Sequence, residues 1–180
     1  FLADIHGEYE AFLHVLKNAS GNIKRKVNEL CGNTLREQDK RELCTLIYYP
    51  EQKLEQVKQR EADINDWYHI TLHQLVAVCR DVSSKYTRSK VRKSLPCDFS
   101  YIIQELLHEH TEDHDKAAYV NVIVDTIIST GRADDFIVAI ANVIQRLAID
   151  QLHILGDIYD RGPGAHIILD KMRHYHSWDI

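Results

Sequence analysis

Apolar residues recur at helical spacing through most of the chain. One stripe covers residues 120–128 and a second covers 136–147, each with apolar positions one, three or four apart, as on one face of an α-helix. Gly131 stands between the stripes and suits the end of the first helix. Asp134 or Asp135 can cap the second helix. The pattern predicts two consecutive amphipathic helices.

Local signals predict further helices before this pair. A periodic apolar segment runs from Ile64 to Val82. Pro96 disfavours helix at the residue before it, so Phe99 to His108 is predicted as a separate helix. Pro50 suits the first turn of another helix. The sequence from Thr34 to Glu37, "TLRE", has the form of a capping box and predicts one more helix start.

Three short segments have the pattern of a β-strand. "FLAD" (1–4) and "QLHILGD" (151–157) are apolar runs that end in an acidic loop, and "WDI" (178–180) begins a third strand. Between the last two, Ala165 to His174 carries a helical stripe. Strands that alternate with helices predict an α/β fold.

The first two predicted strands are separated by roughly 120 residues or more, far longer than an ordinary crossover connection. This separation predicts a large all-α insertion between strands 1 and 2. We therefore expect two parts: an α/β core made of residues 1–8 and 148–180, and a helical insertion made of residues 9–147.

The composition indicates a globular chain and argues against some classes of binding partner. Apolar residues make up 44% of the 180 positions, charged residues make up 27%, and the net charge of −5 argues against general nucleic-acid binding. No apolar run is long enough to cross a bilayer. The four cysteines form no CxxC pair, which predicts reduced, mostly buried thiols and a cytoplasmic location. They are Cys31, Cys44, Cys79 and Cys97.

The two acidic loops carry residues that can bind metal ions. In open α/β sheets ligands bind beyond the carboxyl ends of the strands, so Asp4, His6 and Asp157 are expected to converge across 153 positions (Asp4 to Asp157). Carboxylates with one imidazole suit Mn²⁺ or Mg²⁺, and the imidazole favours Mn²⁺. Two ions about 3.5–4 Å apart can activate a water for hydrolysis of a phosphate ester.

Other residues of these loops suit phosphate chemistry. Arg161 carries a permanently charged fork that can hold two phosphate oxygens. Gly7, Gly156 and Gly162 allow the backbone to approach a ligand closely. The helix that follows can point free amides at an anion. These features predict that the metal site acts on a phosphorylated substrate.

Each of these residues also has a purely structural explanation. Asp4 and Asp160 could cap local turns, and Arg161 could form a surface ion pair. A short motif such as "DIHG" alone favours this structural explanation, because short motifs recur by accident. "DIHG" together with a downstream "GDIYDRG" favours the metal site.

The two blocks resemble a known superfamily. "DIHG" (4–7) and "GDIYDRG" (156–162) resemble the first two signature blocks of the calcineurin-like metallophosphatases, DxH(G) and GDxxDRG. From Phe1 to Ile180 the chain, including its helical insertion, resembles the bacterial class III fructose-1,6-bisphosphatases. The segments that carry this likeness are "DIHGEYEAFLHVLKNASG", "YYPEQKL", "SSKYTRSKVRKSLP", "QRLAIDQLHILGDIYDRGP" and "YHSWDI". The resemblance implies a partial calcineurin-like sheet that holds the first strands only.

The resemblance also implies a role for each motif residue. Asp4 and His6 would hold the first metal ion, and Asp157 would bridge two ions. Asp160 would orient a catalytic histidine, and Arg161 would contact the substrate phosphate. That histidine belongs to a third block, GNHD, which the chain does not contain. We therefore expect the 180 residues to be a fragment that is inactive alone.

The implied activity is hydrolysis of fructose 1,6-bisphosphate to fructose 6-phosphate and phosphate in gluconeogenesis, by attack of a metal-bound hydroxide. The implied cofactor is a pair of Mn²⁺ or Mg²⁺ ions. The partner would be the small sugar bisphosphate, with no nucleic acid and no membrane, and homo-oligomers are left open. Two alternatives stand beside this activity: a protein serine/threonine phosphatase or dinucleoside-tetraphosphatase relative, and a non-catalytic phosphate-binding helical module. The long insertion favours the sugar phosphatase.

A run of basic residues stands out in this acidic chain. "SSKYTRSKVRK" carries Lys85, Arg88 and Lys90 with no acidic residue among them. The run is either a solvated helix face or a site for substrate or effector phosphate. The histidine-rich stretch from 108 to 114 is predicted to be a polar helix end and loop without a metal.

Overall fold

The computed structural model of the chain describes residues 1–108, 114–173 and 178–179. These residues form a mostly helical protein with a small parallel sheet. Most of the histidine-rich stretch lies outside the described residues, and the prediction for it stays a prediction. None of the described helices combines the length and the apolar character that crossing a membrane requires.

Ten α-helices and three strands lie in the described part of the chain. The strands are β1 (Leu2–Ala3), β2 (Leu152–Leu155) and β3 (Trp178–Asp179). The helices are α1 (Tyr9–Asn18), α2 (Asn22–Cys31), α3 (Glu37–Tyr48), α4 (Pro50–Arg60), α5 (Ile64–Ser83), α6 (Arg88–Ser94), α7 (Ser100–His108), α8 (His114–Ser129), α9 (Ala133–Leu147) and α10 (Ala165–Met172), with short 3-10 turns at Ala19–Gly21 and Cys97–Phe99.

The sheet has the order β1-β2-β3, and both pairs of strands are parallel. Leu2 lies opposite Ile154, and Leu152 lies opposite Trp178. Along β2 the side chains alternate, as a half-buried strand requires. Ile154 is 1% exposed, whereas Leu155 is 56% exposed. All three predicted strands are confirmed, and one face of β2 packs inward.

The long helices follow the apolar pattern closely. Helix α5 begins at Ile64, where the Asp63 side chain accepts hydrogen bonds from the backbone amides of Asn65 (3.1 Å) and Asp66 (3.2 Å). Pro50 is the first residue of α4, as expected. Gly131 takes a φ of 70° between α8 and α9, a left-handed conformation that glycine adopts at little cost.

Two predicted helix caps are wrong. Helix α3 begins at Glu37, and Thr34 instead closes a turn by donating its hydroxyl to the Cys31 carbonyl (2.5 Å). Arg132 is the residue that precedes α9, so Asp134 lies inside the first turn of that helix. There it accepts a hydrogen bond from the Tyr68 hydroxyl at 2.6 Å, which ties α9 to α5. In both places a tertiary or turn contact outweighs the local capping signal.

The buried apolar residues form two clusters. The larger one lies inside the helical region, and α5 and α9 contribute many of its fully buried side chains, among them Leu72, Phe136 and Ile144. The smaller one joins β2 and α10 to Phe12 and Leu16 of α1. Helix α1 therefore packs with the sheet. The predicted division at residue 9 stays a prediction; the buried residues of the helical cluster run from Ala19 to Ala148.

The cysteines lie where the composition predicted. Cys31, Cys44 and Cys79 are buried, Cys97 is exposed, and all four are free thiols. Burial raises the pKa of the Cys79 thiol to about 12. A protonated thiol in an apolar core acts as a small hydrophobic side chain, so the three buried cysteines contribute to packing.

Candidate metal centre

The loops after β1 and β2 meet at one edge of the sheet. The amide of Asp4 donates to the Leu155 carbonyl (3.0 Å), and the amide of His6 donates to the Asp157 carbonyl (2.9 Å). These bonds continue the β1–β2 ladder past the strand ends. The convergence predicted from parallel-strand geometry is therefore present: the residues after the first strand lie beside those after the second.

Glycines allow the two loops to touch through their backbones. The amide of Gly162 donates to the His6 carbonyl (2.5 Å), and the amide of Gly164 donates to the Gly7 carbonyl (3.1 Å). A Cβ built on Gly162 would lie 2.6 Å from the Gly7 carbonyl carbon, closer than real side chains come. The predicted role of Gly7 and Gly162 was approach to a ligand. In this structure they approach each other, and the contact of Gly164 with Gly7 was not foreseen.

Asp4 and His6 both have left-handed backbone conformations, with φ of 50° and 51°. Residues other than glycine rarely adopt this conformation, and it costs about 1–3 kcal/mol each when the surroundings impose it. Between them Ile5 is buried in the sheet cluster at 8% exposure. A buried apolar residue therefore separates the two polar residues of this loop. No sequence signal identified this feature.

His6, Asp157 and Asp160 form a cluster with metal-binding side chains. One donor atom of each lies within 4.8 Å of those of the other two. Donors bound to one ion at about 2.0–2.2 Å lie up to about 4.4 Å apart, so small side-chain movements suffice for shared ligation. Carboxylate oxygens and an imidazole nitrogen suit Mn²⁺ or Mg²⁺. The residues present therefore fit a divalent ion.

Asp160 also holds the imidazole of His6 in place. His6 Nδ1 is hydrogen-bonded to Asp160 Oδ1, and the side chains are 23% and 39% exposed. With Nδ1–H donating to the carboxylate, Nε2 is the nitrogen left to bind an ion. Metal-binding histidines commonly donate their second nitrogen to a carboxylate in this way. The resemblance assigned Asp160 to a different histidine, so its contact with His6 is an additional role.

The remaining loop residues lie around this cluster. The Asp4 carboxylate touches Gly156, in the space that a side chain at that position would fill. Asp4 is not part of the three-residue cluster among the described residues. Arg161 Nε lies 3.6 Å from Asp160 Oδ2, and the Arg161 side chain is 74% exposed. Its guanidinium therefore stands at the edge of the cluster with most of its surface open to solvent.

The basic run does not lie at this edge of the sheet. Lys85 Nζ lies 2.6 Å from Asp150 Oδ2, and Lys90 Nζ lies 4.1 Å from the centre of the Tyr86 ring. Partial burial opposes ionisation of Asp150, but hydrogen bonds from Lys85 and Tyr86 outweigh it and lower the pKa of that carboxyl. Asp150 precedes β2, whereas the metal-binding loops follow it. The four strand residues span roughly 13 Å at about 3.3 Å each.

Arg88 is the first residue of α6 and is exposed. The structure thus brings Asp4, His6, Asp157, Asp160 and Arg161 to one edge of the sheet, and leaves Lys85, Arg88 and Lys90 elsewhere. A role for these three residues in substrate binding stays a prediction. It would require α6 to move toward the candidate metal site, or the substrate to bind away from that site.

A parallel sheet whose carboxyl edge carries one histidine and two aspartates within reach of one another defines the class: an α/β protein with a candidate divalent-metal site. Comparison with known proteins gives the particular family. The family model described as Firmicute fructose-1,6-bisphosphatase matches residues 1–180, and the chain belongs to that family. The resemblance stated from the sequence is confirmed.

The chain is similar along its whole length to proteins named fructose-1,6-bisphosphatase class 3. It is 73% identical to the protein from Bacteroides thetaiotaomicron, 71% identical to that from Phocaeicola vulgatus and 64% identical to that from Clostridium novyi, each over 180 residues. Each comparison covers 100% of this chain, which spans 27% of the relative's length. No solved structure matches the chain.

Proposed function

We propose that the natural protein containing these residues is a metal-dependent phosphomonoesterase that hydrolyses fructose 1,6-bisphosphate to fructose 6-phosphate and phosphate. The observation that carries this proposal is the cluster of His6, Asp157 and Asp160 with Arg161 at its edge. The substrate follows the name of relatives that are up to 73% identical over 180 residues. The small parallel sheet would then be part of a calcineurin-like metallophosphatase core.

The residues of the chain divide the work at this site. His6 and Asp157, with Asp4 beside Gly156, would hold Mn²⁺ or Mg²⁺ ions. When bound, such ions lower the pKa of water and neutralise phosphate charge. Asp160 is hydrogen-bonded to His6 Nδ1, which would leave Nε2 as the nitrogen that binds an ion. Arg161 would bind two phosphate oxygens, since its side chain is 74% exposed and its Nε lies 3.6 Å from Asp160 Oδ2.

This proposed activity also implies a cellular location and a metabolic pathway for the protein. A phosphatase that acts on a sugar bisphosphate meets its substrate in the cytoplasm, and gluconeogenesis is the pathway in which this hydrolysis is needed. The partner is a small sugar bisphosphate that carries about three to four negative charges near neutral pH, and the −5 net charge of the chain does not attract it at long range. Local cations such as Arg161 therefore have to provide the attraction.

The proposal is tested by phosphate release from the intact protein supplied with Mn²⁺. Fructose 1,6-bisphosphate, a phosphoserine peptide and a diadenosine polyphosphate are compared as substrates. We expect the sugar bisphosphate to be preferred, and EDTA to abolish release. Arg161→Ala should lower kcat/KM about a hundredfold, the cost typical of removing one such charged contact. Arg25→Ala, which removes an exposed arginine paired with Glu29, is the matched control.

Other outcomes separate the alternatives. Preference for the phosphopeptide would replace the sugar substrate with a protein substrate. Tight phosphate binding without release in any assay would support a non-catalytic phosphate-binding module. Full activity in EDTA would contradict the metal-dependent mechanism itself.

A further inference from the structure

A cavity of about 320 Å³ lies between α2 and α3, and none of the metal-binding loop residues lines it. Helix α2 contributes residues one turn apart, and α3 contributes residues along one face over three turns. This volume is at the lower end of the range, about 300–1,000 Å³, typical of sites for small molecules. The lining side chains used below are Lys24, Asn28, Glu37, Lys40, Arg41 and Tyr48.

The lining of this cavity is positively charged. Three of its side chains, Lys24, Lys40 and Arg41, are cationic, and Glu37 is its one carboxylate, so three positive charges less one negative charge leave +2. The complete chain has a net charge of −5. A concentration of cations in an acidic protein needs a reason, because like charges repel unless an anion lies among them.

Lys40 is held in the wall of the cavity. Its residue is 8% exposed, and its Nζ lies 2.7 Å from Glu37 Oε1. Buried lysines are rare, since burial disfavours the ammonium ion unless a partner compensates. Lys24 and Arg41 are exposed and have no carboxylate within 4.0 Å among the residues that the structure describes. Two of the three cations are thus available to an incoming anion.

Glu37 shows how this surface acts on a negative charge. Its pKa is lowered, first by the hydrogen bond from Lys40 and then by the positive charges of Lys40, Arg41 and Lys24. All three cations therefore act on one carboxylate in the lining of the cavity. An external carboxylate or phosphate placed there would experience the same attraction.

Two further features suit a phosphorylated ligand. Helix α3 begins at Glu37, and the side chain of Arg36 before it does not cap its first backbone amides, so the positive end of the helix lies beside this lining. Asn28 and Tyr48 add hydrogen-bonding side chains to the lining. An amide and a phenol beside cations can recognise the uncharged hydroxyl groups of a small metabolite.

We propose that this cavity binds a small phosphate monoester, with Lys24, Lys40 and Arg41 as its phosphate-binding residues. A monoester carries about two negative charges at neutral pH, which matches the +2 of the lining. The basic run around α6 is a weaker candidate for an anion site, because Lys85 is already paired with Asp150. The site is separate from the metal-binding loops, and it stands whether or not the proposed phosphatase activity is correct.

The test is calorimetric titration of the intact protein with sn-glycerol 3-phosphate, with glycerol as the uncharged probe. We expect binding of the phosphate ester only. The double variant Lys24→Gln/Arg41→Gln should weaken this binding about tenfold or more, and both residues are exposed, so the fold is not at risk. Arg161→Ala identifies any binding event that belongs to the catalytic loops.

The matched control is Arg92→Gln/Lys93→Gln, which removes two exposed charges from α6. We expect this control to keep the wild-type affinity. Unchanged affinity in Lys24→Gln/Arg41→Gln would overturn the proposal, and so would the absence of any binding that survives Arg161→Ala. A loss of affinity in the α6 control alone would place the anion site on the basic run instead.

Discussion

Gly7 and Gly162 touch where the two loops of the metal-binding cluster meet. A Cβ on Gly162 would lie 2.6 Å from the Gly7 carbonyl carbon and 2.8 Å from the His6 oxygen. Both neighbours are backbone atoms, which cannot rotate away as a flexible side chain can. The φ of Gly162 is not in the left-handed region, so crowding alone opposes a larger residue there.

We therefore predict that Gly162→Ala separates the loops and weakens Mn²⁺ binding by the intact protein about 10- to 100-fold, the loss typical when residues that position metal ligands are altered. Titration calorimetry with Mn²⁺ measures this, and circular dichroism checks that the helices remain. Gly131→Ala is the matched control, because nothing lies within 4 Å of its Cβ. It should destabilise the fold through its φ of 70° and leave Mn²⁺ affinity unchanged. Equal metal affinity in both variants would contradict this role of Gly162.

At the residue scale the sequence predicted that Asp4, His6 and Asp157 lie at one edge of the sheet, but not how the backbone presents them or that Asp160 takes the place of Asp4 in the cluster. Asp4, His6 and Asp157 are polar residues directly after strands, a pattern that is visible without a structure. The left-handed φ of Asp4 and His6 has no sequence signature, since either residue type adopts ordinary conformations far more often. The contact of Asp160 with His6 depends on loop geometry in the same way.

At the element scale, the C-terminal end of α3 depends on a side chain from α9. Gln145 is 8% exposed, and its Nε2 donates to the Ile47 carbonyl at 2.6 Å. The last carbonyls of a helix have no partners within that helix, and Pro50, which opens α4, has no amide hydrogen to offer. Gln145 therefore joins α9 to the junction of α3 and α4.

We predict that Gln145→Leu lowers the free energy of unfolding by about 1–3 kcal/mol, because a buried carbonyl loses its donor while the side-chain volume stays similar. Urea denaturation followed by circular dichroism measures the change. Gln38→Leu, on an exposed position of the same α3, should change stability by less than about 0.5 kcal/mol. A similar loss in both variants would show that the hydrogen bond to the Ile47 carbonyl does not contribute specifically to the free energy of unfolding.

Elements with a long apolar period were the easiest to predict. Helix α5 was expected from Ile64 to Val82 and runs from Ile64 to Ser83. The caps at Thr34 and at the start of α9 were wrong, because a hydroxyl or a carboxylate has several possible partners within reach. Sequence spacing does not choose among these partners, whereas burial of a periodic apolar face leaves a helix few alternatives.

At the scale of the whole molecule, the helical region and the small sheet differ in how much packing surrounds them. Helices α5 and α9 contribute side chains that are not exposed at all, such as Leu75 and Ile140. The sheet is short, β1 has two residues, and Leu155 on the outer face of β2 is 56% exposed. Short sheets with one uncovered face have few interactions to resist local opening.

We predict that hydrogen exchange of the 180-residue chain is slowest in α5 and α9 and markedly faster in β1 and β2. Mass spectrometry of peptides after timed exchange measures this for each element. The expected protection of α9 exceeds that of β2 by at least about tenfold, since local opening needs less free energy where fewer buried contacts are lost. Equal protection in β2 and α9 would indicate that the two clusters open as one cooperative unit.

The division into parts was predictable only in outline. The long gap between the first two strands indicated a helical insertion, which the larger cluster reflects. The side on which α1 packs was not predictable from spacing, because its apolar stripe suits either cluster. Phe12 and Leu16 pack in the sheet cluster. Helix α1, which directly follows the loop that carries His6, therefore lies against the sheet.

The two loops of the candidate metal site are synthesised at different times, because they are far apart in the sequence. His6 leaves the ribosome 151 residues (157 minus 6) before Asp157. At about 5–20 residues per second, the nascent chain carries His6 without this partner for roughly 8–30 s. The helical insertion can fold during that interval, so the Gly7–Gly162 junction closes late. Under the proposed function, a metal ion would bind only after the scaffold that orients its ligands has formed.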